Sequence, residues 1–239
     1  MKILALDSSG LVASVAVVED NHMLAEYTVN YKKTHSQTLL PMLDEIAKMI
    51  ELDLETIDAV AVAGGPGSFT GLRISSATAK GLGLALHKPL IQIPTVDGLA
   101  YNLCACKDLI CPLMDARRNQ TYTGVYEFQG ENFRILVPQC AVGIEEIILK
   151  INAYERSVVF LGDGVSVFHA YIEEHCKVAY TFAPAHVNKQ RAAALAVLAQ
   201  SYYKAGNIQT AADHKPVYLR LSQAERERES LRSGKELPT

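Results

Sequence analysis

The stretch Gly64-Gly65-Pro66-Gly67-Ser68-Phe69-Thr70-Gly71-Leu72-Arg73 has the composition of a turn whose backbone must approach something closely. Between a buried strand and a helix, such a turn can present N–H groups and the positive end of a helix dipole to an anion, with Gly65, Gly67 and Ser68 as the nearest residues. Two familiar phosphate cradles are excluded by spacing. A Walker A loop follows its last glycine with Lys and then Ser or Thr, whereas Gly71 is followed by Leu72 and Arg73, and a dinucleotide fingerprint needs a glycine where Thr70 stands. A tight structural turn fits these residues as well as an anion site does. Asp7-Ser8-Ser9 ends an apolar run with a carboxylate and two hydroxyls, a set able to hold Mg²⁺ and a nucleotide. Gly164, in Gly162-Asp163-Gly164, could meet the same phosphate or adenosine. A capped turn would use the same side chains.

The other reactive residues form no site by spacing alone. Cys104, Cys106, Cys111, Cys140 and Cys176 are odd in number and lack a Cys-x-x-Cys pair, which points to reduced, mostly buried thiols and away from disulfides or a thiolate zinc site. His22, His35, His87, His169, His175, His186 and His214 show no metal-ligand spacing. A hydrophobic content of 49% with 21% charged residues is that of a packed globular protein and excludes a disordered or fibrous chain. A formal net charge of -3 without an Arg- or Lys-rich stripe gives no pull toward polyanions. The apolar run at Met1–Asp7 is too short for a signal peptide, and no stretch approaches a membrane span, so a cytoplasmic protein that meets no membrane is expected.

The elements that would position these residues follow from periodicity. Residues 3–6, 13–18 and 24–29 read as three strands of a meander. Thr34 with Gln37 forms a capping box for a helix reaching about Ile50. Then come a strand at Ile57–Ala63, a helix at 72–86 and a strand at Pro89–Ile93. Three strands, helix, strand, helix, strand is the ribonuclease-H-like layout of one lobe in the actin and sugar-kinase superfold. The second half begins alike, with a strand ending at Asp115 and another at Tyr122–Phe128; Glu19 and Glu127 each fall twelve residues after Asp7 and Asp115. A duplicated, two-lobed α/β actin-like (ASKHA) fold is expected, with lobes at 1–106 and 107–239. Beyond lie a helix near Ile144–Ile151, a strand at Val158–Leu161, and a helix capped by Asn188 and stopped by Gly206. Glu225-Arg226-Glu227-Arg228-Glu229 reads as a solvated face.

The two helices of the first half carry more apolar surface than one sheet contact needs. In residues 72–86 only Arg73 and Lys80 are charged, where a surface helix would show a polar face. On the preceding helix Leu39, Leu43, Ile46 and Ile50 share one stripe, flanked by Met42 and Met49 on one side and by Leu40 and Ala47 on the other. Either both helices are buried between lobes, or their flanks meet another chain in a four-helix interface, with Ser75, Ser76, Ala79 and Gly83 permitting close approach. If those faces are external, Ile46→Glu and Leu82→Glu break pairing and leave the monomer folded.

Gly-Gly-Pro-Gly-Ser-Phe-Thr-Gly-Leu-Arg, together with Asp7-Ser8-Ser9, His35-Ser36-Gln37-x-Leu39-Leu40-Pro41, Asp115-Ala116-Arg117-Arg118 and Tyr218-Leu219-Arg220, resembles the bacterial TsaB (YeaZ) family over essentially the whole chain. The resemblance implies a non-catalytic relative of TsaD, the enzyme that transfers threonylcarbamoyl to the adenosine beside the tRNA anticodon. It implies pairing with TsaD through the two helices, at His35, Leu39, Leu40, Met42, Leu43, Ile46, Ile74, Thr78 and Leu82, self-pairing when TsaD is absent, access to the ATPase TsaE, and only indirect contact with tRNA. TsaD relatives carry a His-x-x-x-His metal motif, whose positions correspond here to Thr95 and Leu99, and leucine cannot bind a metal. No cofactor of its own is implied; ATP or ADP with Mg²⁺ belongs to the TsaD interface. The rivals are a metalloprotease-like enzyme, an autonomous ATPase or sugar kinase of the same superfold, and a free-standing nucleotide-binding regulator.

Overall fold

In Lys2–Asp7 (β1) every side chain from Ile3 onward is buried, so the sheet built on this strand must be covered on both faces. The computed structural model describes residues 1–31 and 35–220. Around β1 lie Ala13–Glu19 (β2), His22–Val29 (β3), Ala59–Ala63 (β4) and Leu90–Ile93 (β5), in the order β3-β2-β1-β4-β5. β1 runs antiparallel to β2 and parallel to β4. On one face Leu4 and Leu6 pack with Val60 and Val62 under the helices His35–Met49 (α1) and Phe69–Ala85 (α2). The opposite face, with Ile3, Ala5, Ala59 and Ala61, needs a second cover. Thr95–Tyr101 (α3) leads out of this lobe.

The second sheet repeats the first. Leu109–Asp115 (β6), Gln120–Gln129 (β7), Asn132–Gly143 (β8), Val158–Leu161 (β9) and Tyr180–Phe182 (β10) stand in the order β10-β9-β6-β7-β8. β6 is antiparallel to β7 and parallel to β9, as β1 is to β2 and β4. Ile144–Ala153 (α4) and Gly164–His175 (α5) cover one side of it. The fold is the two-lobed, duplicated ribonuclease-H-like α/β architecture of actin-like proteins. The matched acids differ in partner: Glu19 meets Lys2 at 3.5 Å, and Glu127 meets Arg156 at 2.7 Å. Sequence patterning had marked neither α3, α5, β8 nor β10.

The range 107–239 does not map onto the second sheet alone. Ala192–Lys204 (α6) returns to the first lobe and supplies its missing cover, setting Ala192, Leu195, Ala196 and Ala199 against Ile3, Ala5 and Ile93. Asn188 does not cap this helix, which begins four residues later. Its first N–H groups are met from the strands it lies on: Ala192 N–H donates to Ser14 Oγ at 2.9 Å and Ala193 N–H to Glu26 Oε1 at 3.0 Å, while Arg191 holds the other Glu26 oxygen. A cap borrowed from β2 and β3 leaves no local trace in sequence.

Two further expectations change. α2 starts at Phe69, not at residue 72, because Ser68 serves as its N-cap and accepts from Gly71 N–H at 3.3 Å. The Thr34 capping box lies outside the described residues, as does the charged segment 225–229. On α1, Leu39, Met42, Leu43 and Ile46 are all core residues packed on the sheet, so they are no part of an external face. The physical reason is that α1 lies on β2 and β3, whose Val15, Val17 and Ala25 share one apolar cluster with this stripe. Among the described residues no helix is long and apolar enough to cross a membrane. Ile46 is 3% exposed, so Ile46→Glu places an unpaired carboxylate in the core. It is expected to destabilise the protein by about 3 kcal/mol or more, read as loss of the cooperative unfolding transition in circular dichroism, without a folded dissociated state.

Candidate functional site

The turn after β1 and the glycine loop before α2 are built as one unit. Asp7 is buried and its Oδ1 accepts from Ser9 N–H at 2.8 Å and Ser9 Oγ–H at 2.6 Å. Burial pushes the Asp7 carboxyl above the usual carboxylate range, while the bonds from Ser9 and the nearby His35 pull the other way. Ser8 Oγ–H donates to Gly71 O at 2.8 Å, and Ser68 N–H donates to Ser9 O at 2.7 Å. Glycine is required where the two backbones meet. A Cβ at Gly67 would stand 2.3 Å from Ser9 O, and one at Gly71 would stand 1.9 Å from Ser8 O. Gly65 has φ +106° and sits against Val217 O, with its own N–H on Thr95 Oγ1 at 3.1 Å. The loop's glycines thus serve close packing. A hydroxyl has a single proton, and those of Ser8 and Ser9 are already committed to the protein.

Between the lobes lies a cleft of about 540 Å³. Ser9, Gly67 and Ser68 line it from the first lobe, Asp115, Arg117 and Asp163 from the second, and Tyr218 and Arg220 from the chain's later part. His35 also reaches this wall, with Nε2 2.9 Å from Gly10 O. Asp7, Ser8, Gly65 and Gly164 stand behind the wall and do not line it. Gly164 opens α5 and lies against Leu113 O. Burial raises the Asp163 carboxyl, opposed by Lys189. A nucleotide with Mg²⁺ would call on the Asp7 carboxylate and on Ser8 and Ser9 as donors, and these groups are engaged in holding the turn. They do not fit that role as built.

The positions that would carry metal ligands in a TsaD-type motif are structural. Thr95 is fully buried and accepts from Gly65 N–H, and Leu99 packs with Tyr126 and Met114 at the lobe junction. Among the described residues no three His, Cys, Asp or Glu side chains are grouped to hold a metal ion. On the same helix Asp97 accepts from Tyr126 Oη–H of β7 at 2.7 Å and from Tyr202 of α6, tying both lobes and the returning helix together. In the sequence the Asp97-Gly98 step only places the Thr95 and Leu99 positions, and nothing there gives Asp97 a role of its own.

The outer side of α2 is the other feature without an internal partner element. Thr70, Arg73, Ala77, Gly81, Leu84 and Ala85 are exposed along it, with Ile74, Thr78 and Leu82 half-buried beside them. Arg73 lies over the Phe69 ring at 3.9 Å, and Lys80 is tethered to the carbonyls of Ala212 and His214. On α1, Leu40 is 54% exposed and Met49 is exposed at the helix end.

Two consequences are measurable. Gly→Ala inside a helix ordinarily stabilises by about 1 kcal/mol, yet Gly71→Ala is expected to destabilise by about 2 kcal/mol or more because its methyl meets Ser8 O; urea unfolding gives the sign. Burial raises the Asp97 carboxyl to about 6 from 3.8. The folded state therefore holds the proton more tightly than the unfolded chain, and stability falls as pH rises through that window. Asp97→Asn removes this penalty. It is expected to exceed the parent by up to about 3 kcal/mol near neutral pH, with the difference vanishing below about pH 4, in thermal unfolding across pH.

A family model described as TsaD, tRNA N6-adenosine threonylcarbamoyltransferase, matches residues 22–228. The chain is 32% identical to the tRNA threonylcarbamoyladenosine biosynthesis protein TsaB of Bacillus subtilis (strain 168), covering 94% of this chain and 96% of that one. It is 29% identical to the TsaB protein of Haemophilus influenzae, covering 92% and 94%. YeaZ from Pseudomonas aeruginosa superposes with a TM-score of 0.77 at 26% identity, over 91% of this chain and 99% of that one. A second Pseudomonas aeruginosa crystal structure, of an uncharacterized protein with similarity to peptidase YEAZ, gives 0.79 at 26% identity over 92% and 99%. With the duplicated lobes and the glycine loop in place, these likenesses show that the chain belongs to the TsaB family.

Proposed function

We propose that this chain works in the biosynthesis of threonylcarbamoyladenosine next to the tRNA anticodon as a supporting, non-catalytic subunit. It pairs with a TsaD-type transferase and through it joins the TsaE ATPase. The observation that carries this reading is the outer face of α2, where Ala77, Gly81, Leu84 and Ala85 stand exposed on one side of the helix with no charge among them. An exposed helix with so little charge is built to be covered. Ile74, Thr78 and Leu82 stand half-buried beside them, and in this reading Leu40 and His35 of α1 extend the contact. Thr95 and Leu99, where a transferase would have histidines, support a role without metal chemistry and weigh against the peptidase reading.

In this reading the chain has no cofactor of its own. A nucleotide with Mg²⁺ at the junction draws its donors from the transferase, since Ser8 and Ser9 have committed theirs. Binding energy on the α2 face favours the competent state of the partner's site, by no more than the difference in affinity for its two states. Without the transferase, the same face pairs with a second copy. The tRNA is held by the other subunits, in keeping with the net charge of -3 and the cytoplasmic setting of tRNA modification.

Gly81 isolates the test. No heavy atom lies within 4 Å of a Cβ built there, so Gly81→Arg fits the monomer and improves helix propensity. Gly81→Arg is expected to keep or raise the unfolding midpoint while weakening association with TsaD by roughly a hundredfold, through an unpaired charge in the contact. Size-exclusion chromatography and calorimetry read the two effects. Threonylcarbamoyladenosine formation reconstituted from TsaD, TsaE and the adenylate-forming enzyme is expected to require the parent chain and to fail with Gly81→Arg. Unaltered association would overturn the reading, as would full modification without the chain.

A further inference from the structure

The segment after α6 does more than end the fold. Gln209 bridges to Leu90 at the edge of β5, with backbone bonds of 2.8 and 2.9 Å. Ala211 enters the core beneath α2, and the Lys80 ammonium reaches Ala212 O at 3.4 Å and His214 O at 3.2 Å. His214 is 1% exposed. Val217 N–H donates to Gly64 O at 2.7 Å, and the Tyr218 ring packs on Phe69 with centroids 4.9 Å apart. All of these contacts are with the first lobe. Arg220 then crosses the cleft and donates from Nη1 to Ala116 O and, at 3.4 Å, to Arg117 O of the second lobe.

Its target is unusual. Arg117, Arg118 and Asn119 stand consecutively in the left-handed region, at φ 64, 57 and 56°. Side chains disfavour that conformation by about 1 kcal/mol per residue, and Arg220 shares the work of holding the three with Asp115, which accepts from Arg117 N–H at 2.8 Å, and Glu145, which accepts from Asn119 Nδ2 at 2.8 Å. A guanidinium carries five donors in a rigid fork, which suits it to grip turn carbonyls. Tyr218, Leu219 and Arg220 line the cleft, and Asp97, Tyr126 and Tyr202 lie outside its lining.

We propose that Gln209–Arg220 is a strap across the mouth of the interlobe cleft, with Arg220 as its clasp. The Asp97 junction acts as the fixed edge about which the lobes part when the clasp releases. An Arg-to-carbonyl contact is strong enough to hold the cleft closed and weak enough to open without unfolding. The cleft is thereby a gated space, and whatever enters it must first displace Arg220 from the β6–β7 turn. This stands independently of any partner on α2.

Amide hydrogen exchange on the full chain tests it, together with a fluorescent reporter. Because the chain contains no tryptophan, Tyr122→Trp places a single emitter on the second-lobe wall of the cleft. Adding Arg220→Ala is expected to speed exchange at Gln120, which bonds to Arg117 O, and at Val217, which bonds to Gly64 O, by roughly tenfold each. Core amides of β1 and β9 keep the parent rate, and acrylamide quenching of the reporter rises. Arg220→Lys, which retains the charge without the fork, is expected to fall between. Tyr218→Ala touches only the first-lobe anchor, yet it is expected to speed exchange at Gln120 as well. Acceleration confined to Gln120, or no change in either amide, overturns the strap. Should Arg220→Ala fail to fold, Tyr218→Ala decides by the same two amides.

Discussion

A sheet whose central strand buries all its side chains must be roofed on both faces, and here the first half of the chain provides only one roof. α1 and α2 cover Leu4 and Leu6, and the helix set against Ile3 and Ala5 comes from beyond residue 107. The cover comes from α6, which the chain reaches only after completing the second lobe. That single requirement joins the lobes. It brings Tyr202 to Asp97, borrows Ser14 and Glu26 as caps, and delivers the residues after 204 to the edge of β5, from which they run beneath α2 toward the cleft.

The same packing decides what the conspicuous loops are for. Glycines 67 and 71 look like an anion cradle, and in the fold they let two backbones come within contact distance where any methyl group would intrude. The hydroxyls of Ser8 and Ser9 and the carboxyl of Asp7 complete that contact. A relative with a working site would keep such groups available to a ligand. Here they hold the protein to itself, and the surface left over is helical. On the outer side of α2, small and nearly uncharged, Leu84 stands exposed beside Ala77, Gly81 and Ala85.

Cleft and helix face are mechanically close. α2 is touched along its length by the segment that ends in Arg220, through Lys80, Phe69 and the core contact of Ala211. The outer side of α2 and the cleft are thus joined through few and identifiable contacts.

Much was legible in the residues themselves. The strand runs, the paired Asp7 and Asp115 half-chain starts and the order of elements determined a duplicated α/β fold, because burial and alternation are local properties of a strand. The wording of the glycine loop determined the family. Which apolar stripe of α1 is core could not be read, because Leu39 and Leu40 are alike in chemistry and differ only in which one the sheet covers. The cap of α6, the junction at Asp97 and the reach of Arg220 depend on residues between 29 and 178 positions apart. Such contacts leave no periodicity, since their geometry is set by the packing of the two lobes, and so only the tertiary structure decided them.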